Sequence, residues 1–121
     1  MKFLAYVMTA FVALTHYGFM VLEMFFWNHP YGQKTFDMTE EYAAASASLA
    51  ANQGLYNGFL ATGLVWGLFS KRTDVKLFFL GCVVVAGVFG GATAMTSIYF
   101  TQALPAAIAL LLVWFSRTRS V

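Results

Sequence analysis

Apolar residues dominate the chain from Phe3 to Trp27, a run that contains no Lys, Arg or Asp, and three further apolar stretches follow it. Helices rise about 1.5 Å per residue, so segments of about 17–25 such residues cross a hydrocarbon core of about 30 Å. The pattern predicts four spans, over 3–27, 49–69, 77–95 and 100–116. The last is the shortest; it recruits Ile98 to Thr101 or begins close behind a tight turn. Between the first two spans, residues 28–48 read as an outer loop with a helical extension. Asn28-His29-Pro30-Tyr31-Gly32 places a Pro and a Gly together, which ends the first span and turns the chain. Asp37 stands three residues before Glu40, the spacing of an N-terminal cap, and Tyr42 to Ala51 is rich in Ala. The second helix is therefore expected to start near Met38 and either to run unbroken to Phe69 or to bend near Gly54.

Composition sets the class. Of 121 residues, 60% are hydrophobic and 10% charged, and the mean hydropathy is +0.71. These values predict an all-α integral membrane protein, a bundle of four transmembrane helices forming one domain over 1–121. Met1-Lys2 before an apolar run also fits the start of a signal peptide. The run outlasts the usual apolar core of such a peptide, however, and no A-x-A-like site closes it, so the first span is expected to be retained.

The positive charges fall on one side of this layout. Lys2 precedes the first span, Lys71, Arg72 and Lys76 lie between the second and third, and Arg117 and Arg119 follow the fourth, which leaves one of the seven, Lys34, opposite. The positive-inside rule then puts both termini in the cytoplasm. The outer loop sets Lys34 against Asp37, Glu40 and Glu41. The net charge of +2 is thus topological, and no nucleic-acid partner is expected.

Small residues mark helix contacts. Gly54 and Gly58, Gly63 and Gly67, and Gly87 and Gly91 each form a G-x-x-x-G pair, and Ala86 with Gly90 adds another small pair. The second and third spans are expected to pack closely. Trp27, Tyr31, Trp66, Tyr99 and Trp114 fall near the predicted boundaries, where amphipathic rings anchor.

Within this frame Glu23 is out of place. A carboxylate inside a span costs roughly 2.5 kcal/mol or more on insertion scales, so it is expected to face a partner or a water-filled cavity. With the first span rising outward, Glu23 lies about 10 Å beyond the midplane and His16, almost two turns earlier, near the middle of the same face. The second span enters from outside and carries Asn52, Gln53 and Asn57 into the same outer half, Gln53 and Asn57 at a spacing that shares a face. Thr93 and Thr96 end the third span there, and Gln102 opens the fourth before Pro105. Two readings fit this polar layer. The amides can hydrogen-bond Glu23 and hold four helices together, or the layer can wall an outward-facing pocket in which Glu23, His16, Asn52, Gln53, Asn57 and Gln102 bind a substrate or carry a proton.

Other chemistry is thinly represented. His16, Met20 and Met24 follow one another at a spacing of four, and imidazole with thioethers suits copper. No second intramembrane histidine or neighbouring cysteine completes such a site, so no metal and no cofactor are expected, and methionines at this spacing usually pack. His29 beside Pro30 reads as a solvated loop residue. Cys82 is the single cysteine, inside the third span, which excludes an intrachain disulfide and a C-x-x-C motif. Phosphate-loop, H-E-x-x-H and G-x-S-x-G patterns are absent, and no catalytic residue is assigned.

Several strings are distinctive: Glu23-Met24-Phe25-Phe26-Trp27 following His16, Asn52-Gln53-Gly54-Leu55-Tyr56-Asn57-Gly58-Phe59-Leu60-Ala61, Phe78-Phe79-Leu80-Gly81-Cys82-Val83, and Gln102-Ala103-Leu104-Pro105. With these the chain resembles, over nearly its whole length, a family of small bacterial membrane proteins catalogued as a domain of unknown function. The resemblance implies a compact four-helix protein of the bacterial inner membrane and leaves the mechanism open. Three classes of function fit. The first is a transporter or exporter of a small solute or cation through the pocket at Glu23; in outline the chain is similar to small multidrug-resistance exporters. Those tend to have weak charge bias, whereas the bias here predicts one orientation and, in a dimer, a parallel pair. The second is a membrane-embedded enzyme or binding protein for a lipid or quinone-like ligand, with Glu23 or His16 as acid or base. The third is an accessory subunit whose outer faces meet a larger membrane complex.

Overall fold

The computed structural model describes residues 1–117; Arg119, counted above among the cytoplasmic charges, lies outside the described residues. Within them the protein is all-α, with no strand. Its helices are α1 (Lys2–Phe25), α2 (Pro30–Thr35), α3 (Glu40–Phe69), α4 (Thr73–Thr93) and α5 (Leu104–Ser116), the last preceded by a π-helical segment, Tyr99–Ala103. Three stretches are long and apolar enough to cross a membrane by length and composition: Lys2–Phe25, Thr73–Thr93 and Tyr99–Ser116. α3, which holds the span expected over 49–69, is long enough at 30 residues but outside this set. Asn52, Gln53 and Asn57 lower the apolar character of its middle, and Glu40 and Glu41 that of its start.

The outer faces of the three apolar helices are themselves apolar. Phe3, Leu14, Phe25, Phe78, Val85 and Phe115 are each more than 60% exposed. So many large apolar side chains exposed on these helices are more than a water-soluble monomer normally carries. The buried positions are dominated by small or branched residues, among them Ala61, Leu64, Leu80, Val83, Ala106 and Ala109, each fully buried.

The chain divides into two compact units. One contains Met1–Ala13 and the chain from Thr62 onward. Here α4 packs against its neighbours through glycines. A Cβ on Gly63 would meet the Phe79 ring at 2.5 Å, and one on Gly67 would lie 2.7 Å from Lys76 Cγ. A Cβ on Gly87 would stand 2.6 Å from the backbone nitrogen of Ala103, so only glycine permits the closeness of α4 to the π segment. The pairs thus serve more than the contact of the second and third spans that the sequence suggests. Pro105 explains the π segment. It has no N–H to offer the Thr101 carbonyl, the α-helical ladder breaks there, and the N–H of Leu104 reaches back to the Tyr99 carbonyl instead.

The other unit is Leu14–Ala61, the C-terminal part of α1, the connection through α2, and roughly the first two-thirds of α3. The connection is more ordered than its Pro-Gly content suggests. His29 caps α2, its Nδ1 accepting the N–H of Tyr31 at 3.1 Å, and Pro30 occupies the first turn, where a missing N–H costs nothing. Asp37 then adopts a left-handed conformation, φ 53°. The N–H of Met38 bonds the Gln33 carbonyl at 2.8 Å and that of Asp37 the Lys34 carbonyl at 3.4 Å, the 6→1 and 5→2 closure that ends a helix. Asp37 therefore closes α2 and does not cap α3. That cap is Thr39, whose hydroxyl accepts the N–H of Tyr42 at 3.1 Å. From Glu40 the helix runs unbroken through Gly54 to Phe69, where Lys71, φ 56°, repeats the same closure, with Arg72 N–H on the Gly67 carbonyl at 3.0 Å.

Candidate functional site

Glycine sets the geometry around Glu23. A Cβ on Gly54 would lie 2.8 Å from Met24 Cγ and 3.0 Å from Glu23 Cβ, and one on Gly58 would lie 2.7 Å from Met20 Sδ. The pair lets α3 settle against the C-terminal part of α1, its glycines lying directly on the Met20, Glu23 and Met24 side chains. Asn57, one position before Gly58 and buried, is thereby brought within reach of the carboxylate. Its Nδ2 donates to Glu23 Oε1 at 2.5 Å. Glu23 itself is half-buried. Among the described residues no buried side-chain nitrogen or oxygen lacks a partner, and the shown hydrogen bond on Glu23 uses Oε1. Oε2, for which no bond is shown, is therefore not sealed in the interior.

Glu23 lines a cleft of about 320 Å³. Glu23, Met24 and Phe25 of α1 line one part, Trp27, Asn28, His29 and Pro30 of the connection another, and Ala47 of α3 the rest. The connection holds its side chains firmly. Trp27 Nε1 donates to Ser46 Oγ at 2.9 Å, and that hydroxyl donates in turn to the Tyr42 carbonyl at 2.6 Å. The indole rests on Phe36 with ring centroids 4.9 Å apart. Asn28 Oδ1 accepts from Gln33 Nε2 at 3.3 Å. His29 Nδ1 accepts from the backbone, which leaves Nε2 as the N–H of the ring. Gly32 allows α2 to lie on the end of α1, since a Cβ there would be 2.8 Å from the Trp27 carbonyl oxygen.

The remaining sequence-predicted residues fall elsewhere. His16 is fully buried, with Thr15 Oγ1 3.5 Å from its Nδ1 and the edge of Phe19 at 5.1 Å between centroids; it does not line the cleft. Asn52 and Gln53 are exposed. Gln102 is half-buried in the π segment of the other unit. Among the described residues no group of three His, Cys, Asp or Glu side chains is placed to hold a metal. Sequence reasoning passes over Trp27, Asn28 and His29 as anchor and turn residues. The available signal is His29-Pro30, a side chain able to cap followed by the residue favoured in a first helical turn.

Residues 10–114 match the model of a family described as Protein of unknown function (DUF1304). A Lactococcus lactis subsp. lactis (strain IL1403) protein, Uncharacterized protein YpaA, is similar at 29% identity over 119 residues, covering 95% of this chain and 100% of the relative. No solved structure matches.

Proposed function

The chain belongs to this family of unknown function, and we propose that it is a four-span protein of the bacterial cytoplasmic membrane that transports a small cation or cationic solute through the cleft at Glu23. The observation that carries the reading is the half-buried Glu23, held by Asn57 through one oxygen and lining a cleft. A carboxylate kept only for helix contact would be expected to spend both oxygens on partners, because each one left bare among apolar helices is costly. One held oxygen and one accessible oxygen is instead the arrangement of a group that exchanges a proton or a cation.

The membrane reading draws on the three membrane-length helices, with α3 as the fourth span and its Asn57 bonded to Glu23. Both termini are assigned to the cytoplasm. On that side arginines sit beside the boundary tryptophans. The Arg72 guanidinium lies 5.7 Å from the Trp66 ring centroid, and that of Arg117 lies 3.4 Å from the Trp114 centroid, pairs suited to a headgroup layer.

The test is flux in vesicles loaded with a pH-sensitive dye and given gradients of Na+, K+ or tetramethylammonium in turn. At least one gradient should drive proton movement that requires the protein and is abolished by Glu23→Gln. The amide keeps the size of the side chain and an acceptor for Asn57, so the variant should remain folded. Undiminished flux in Glu23→Gln, or no protein-dependent flux with any gradient, overturns the reading.

A further inference from the structure

We infer that the ligand of the Glu23 cleft is an organic ammonium, a cation with an apolar body, and not a bare inorganic ion. This rests on the reading of the cleft as a cation site and names the class of cation.

Three observations on the outer unit converge. The first is the shortage of ligands for a metal ion. Hard cations such as Ca2+ take six to eight oxygen ligands and Mg2+ an octahedron, while the cleft offers the one carboxylate of Glu23, already sharing Oε1 with Asn57, and the amide of Asn28, whose Oδ1 is taken by Gln33. An ammonium needs far less: one charge-assisted contact with the Glu23 carboxylate satisfies it.

The second is the character of the walls. Met24, Phe25 and Trp27 supply thioether and aromatic surface beside the carboxylate. The indole is immobilised by Ser46 and backed by Phe36, so little ordering entropy remains to be lost on binding. Electron-rich rings attract ammonium groups, and apolar walls favour the substituents that such groups carry and a hydrated metal ion lacks. The volume of about 320 Å³ fits a small organic molecule, at the lower end of the roughly 300–1,000 Å³ typical of ligand pockets.

The third is charge. Between Leu14 and Ala61 stand Glu23, Asp37, Glu40 and Glu41 against Lys34 alone. The field of this unit draws cations toward it and repels anions.

The same ammonium chemistry is carried by free solutes and by choline or ethanolamine headgroups, and the experiment separates the two. Trp66→Phe with Trp114→Phe leaves Trp27 as the sole tryptophan of the three, a reporter on the cleft wall. The protein is placed in nanodiscs of pure phosphatidylglycerol and titrated with benzyltrimethylammonium and, separately, with neopentylbenzene, its uncharged isostere. The ammonium should change Trp27 emission saturably, and the isostere should bind about tenfold more weakly or not at all, the loss of one charge-assisted contact. Glu23→Gln should weaken the ammonium by a similar factor, and Asp37→Asn, outside the cleft, should not. Nanodiscs of phosphatidylcholine should leave the affinity unchanged for a free solute and should compete if the ligand is a headgroup; either result keeps the ammonium assignment. Equal binding of the two probes, or no saturable change with the ammonium, overturns it, and this comparison needs no substitution at Glu23. If vesicle flux requires Glu23 but benzyltrimethylammonium does not bind, the ligand class is wrong and the transport reading stands. Binding of the ammonium without any flux keeps the ligand class and removes transport.

Discussion

Asn57 donates to Glu23 across 34 residues of sequence, and the bond exists because Gly54 and Gly58 bring α3 against α1 on either side of it. Removing the amide leaves a half-buried carboxylate without its partner. Asn57→Ala should therefore destabilise the protein by about 1–3 kcal/mol, measured by thermal unfolding in detergent. Glu23→Gln, which keeps an acceptor for Asn57, should cost less. In the double-mutant cycle the two changes should couple by about 1 kcal/mol. Additivity to within about 0.5 kcal/mol would mean that the bond does not hold these helices together.

Two glycines of α4 should respond in opposite directions to the same change. Gly87 faces Ala103, whose backbone nitrogen would lie 2.6 Å from an added Cβ, whereas a Cβ on Gly81 would meet nothing within 4 Å. Backbone cannot move aside cheaply, so Gly87→Ala should cost about 1–3 kcal/mol through overpacking. Gly81→Ala should gain up to about 1 kcal/mol from helix propensity alone. Parallel melting curves decide the matter, and a loss at Gly81 equal to that at Gly87 would place an unrecognised neighbour on its face.

The start of α3 depends on Thr39, not on Asp37. Thr39→Ala should cost about 1 kcal/mol and speed amide hydrogen exchange at Tyr42, the N–H that the hydroxyl now holds. Asp37→Asn keeps a residue that tolerates the left-handed turn, so exchange in α3 should not change. Faster exchange at Tyr42 in Asp37→Asn, with none in Thr39→Ala, would return the cap to Asp37.

What can be read from the sequence, and what cannot, follows the range of the forces involved. The long apolar runs declare α1, α4 and the last helix because every residue in them contributes to one property. Glu23 and Asn57 stand out for the converse reason, each a polar group where neighbours are apolar. Helix phase is harder to read. Four residues make about 400° of turn, a drift of about 40° from one face, and the Gly54–Gly58 seam leaves Asn57 buried and Gln53 exposed. Local hydrogen bonds are harder still. Asp37 and Thr39 both have cap-forming side chains shortly before Glu40, and the left-handed backbone at Asp37 decides between them. α2 hides behind its own Pro and Gly, which read as a turn until His29 is seen to cap it. The π segment likewise needs a neighbour, since Pro105 frees carbonyls whose new partners depend on how α4 accepts Ala103 against Gly87.

The fourth span is the point of the proposed topology most open to challenge, because the amides of α3 take that helix out of the set recognised by apolar content. If α3 crosses the membrane, its two ends lie on opposite sides. Thr35, just before it, and Ser70, just after it, are both exposed and uncharged, so cysteine can replace either without altering the charge bias that orients the chain. Cys82→Ser first removes the native thiol, which is half-buried in α4. In intact bacteria a membrane-impermeant maleimide should label Thr35→Cys and should reach Ser70→Cys only after permeabilisation. Labelling of both positions from outside would make α3 a surface helix and leave three spans, with Glu23 then facing an interface and not a pocket within a bundle. The opposite pattern, Ser70→Cys labelled and Thr35→Cys protected, would invert the orientation and turn the cleft toward the cytoplasm.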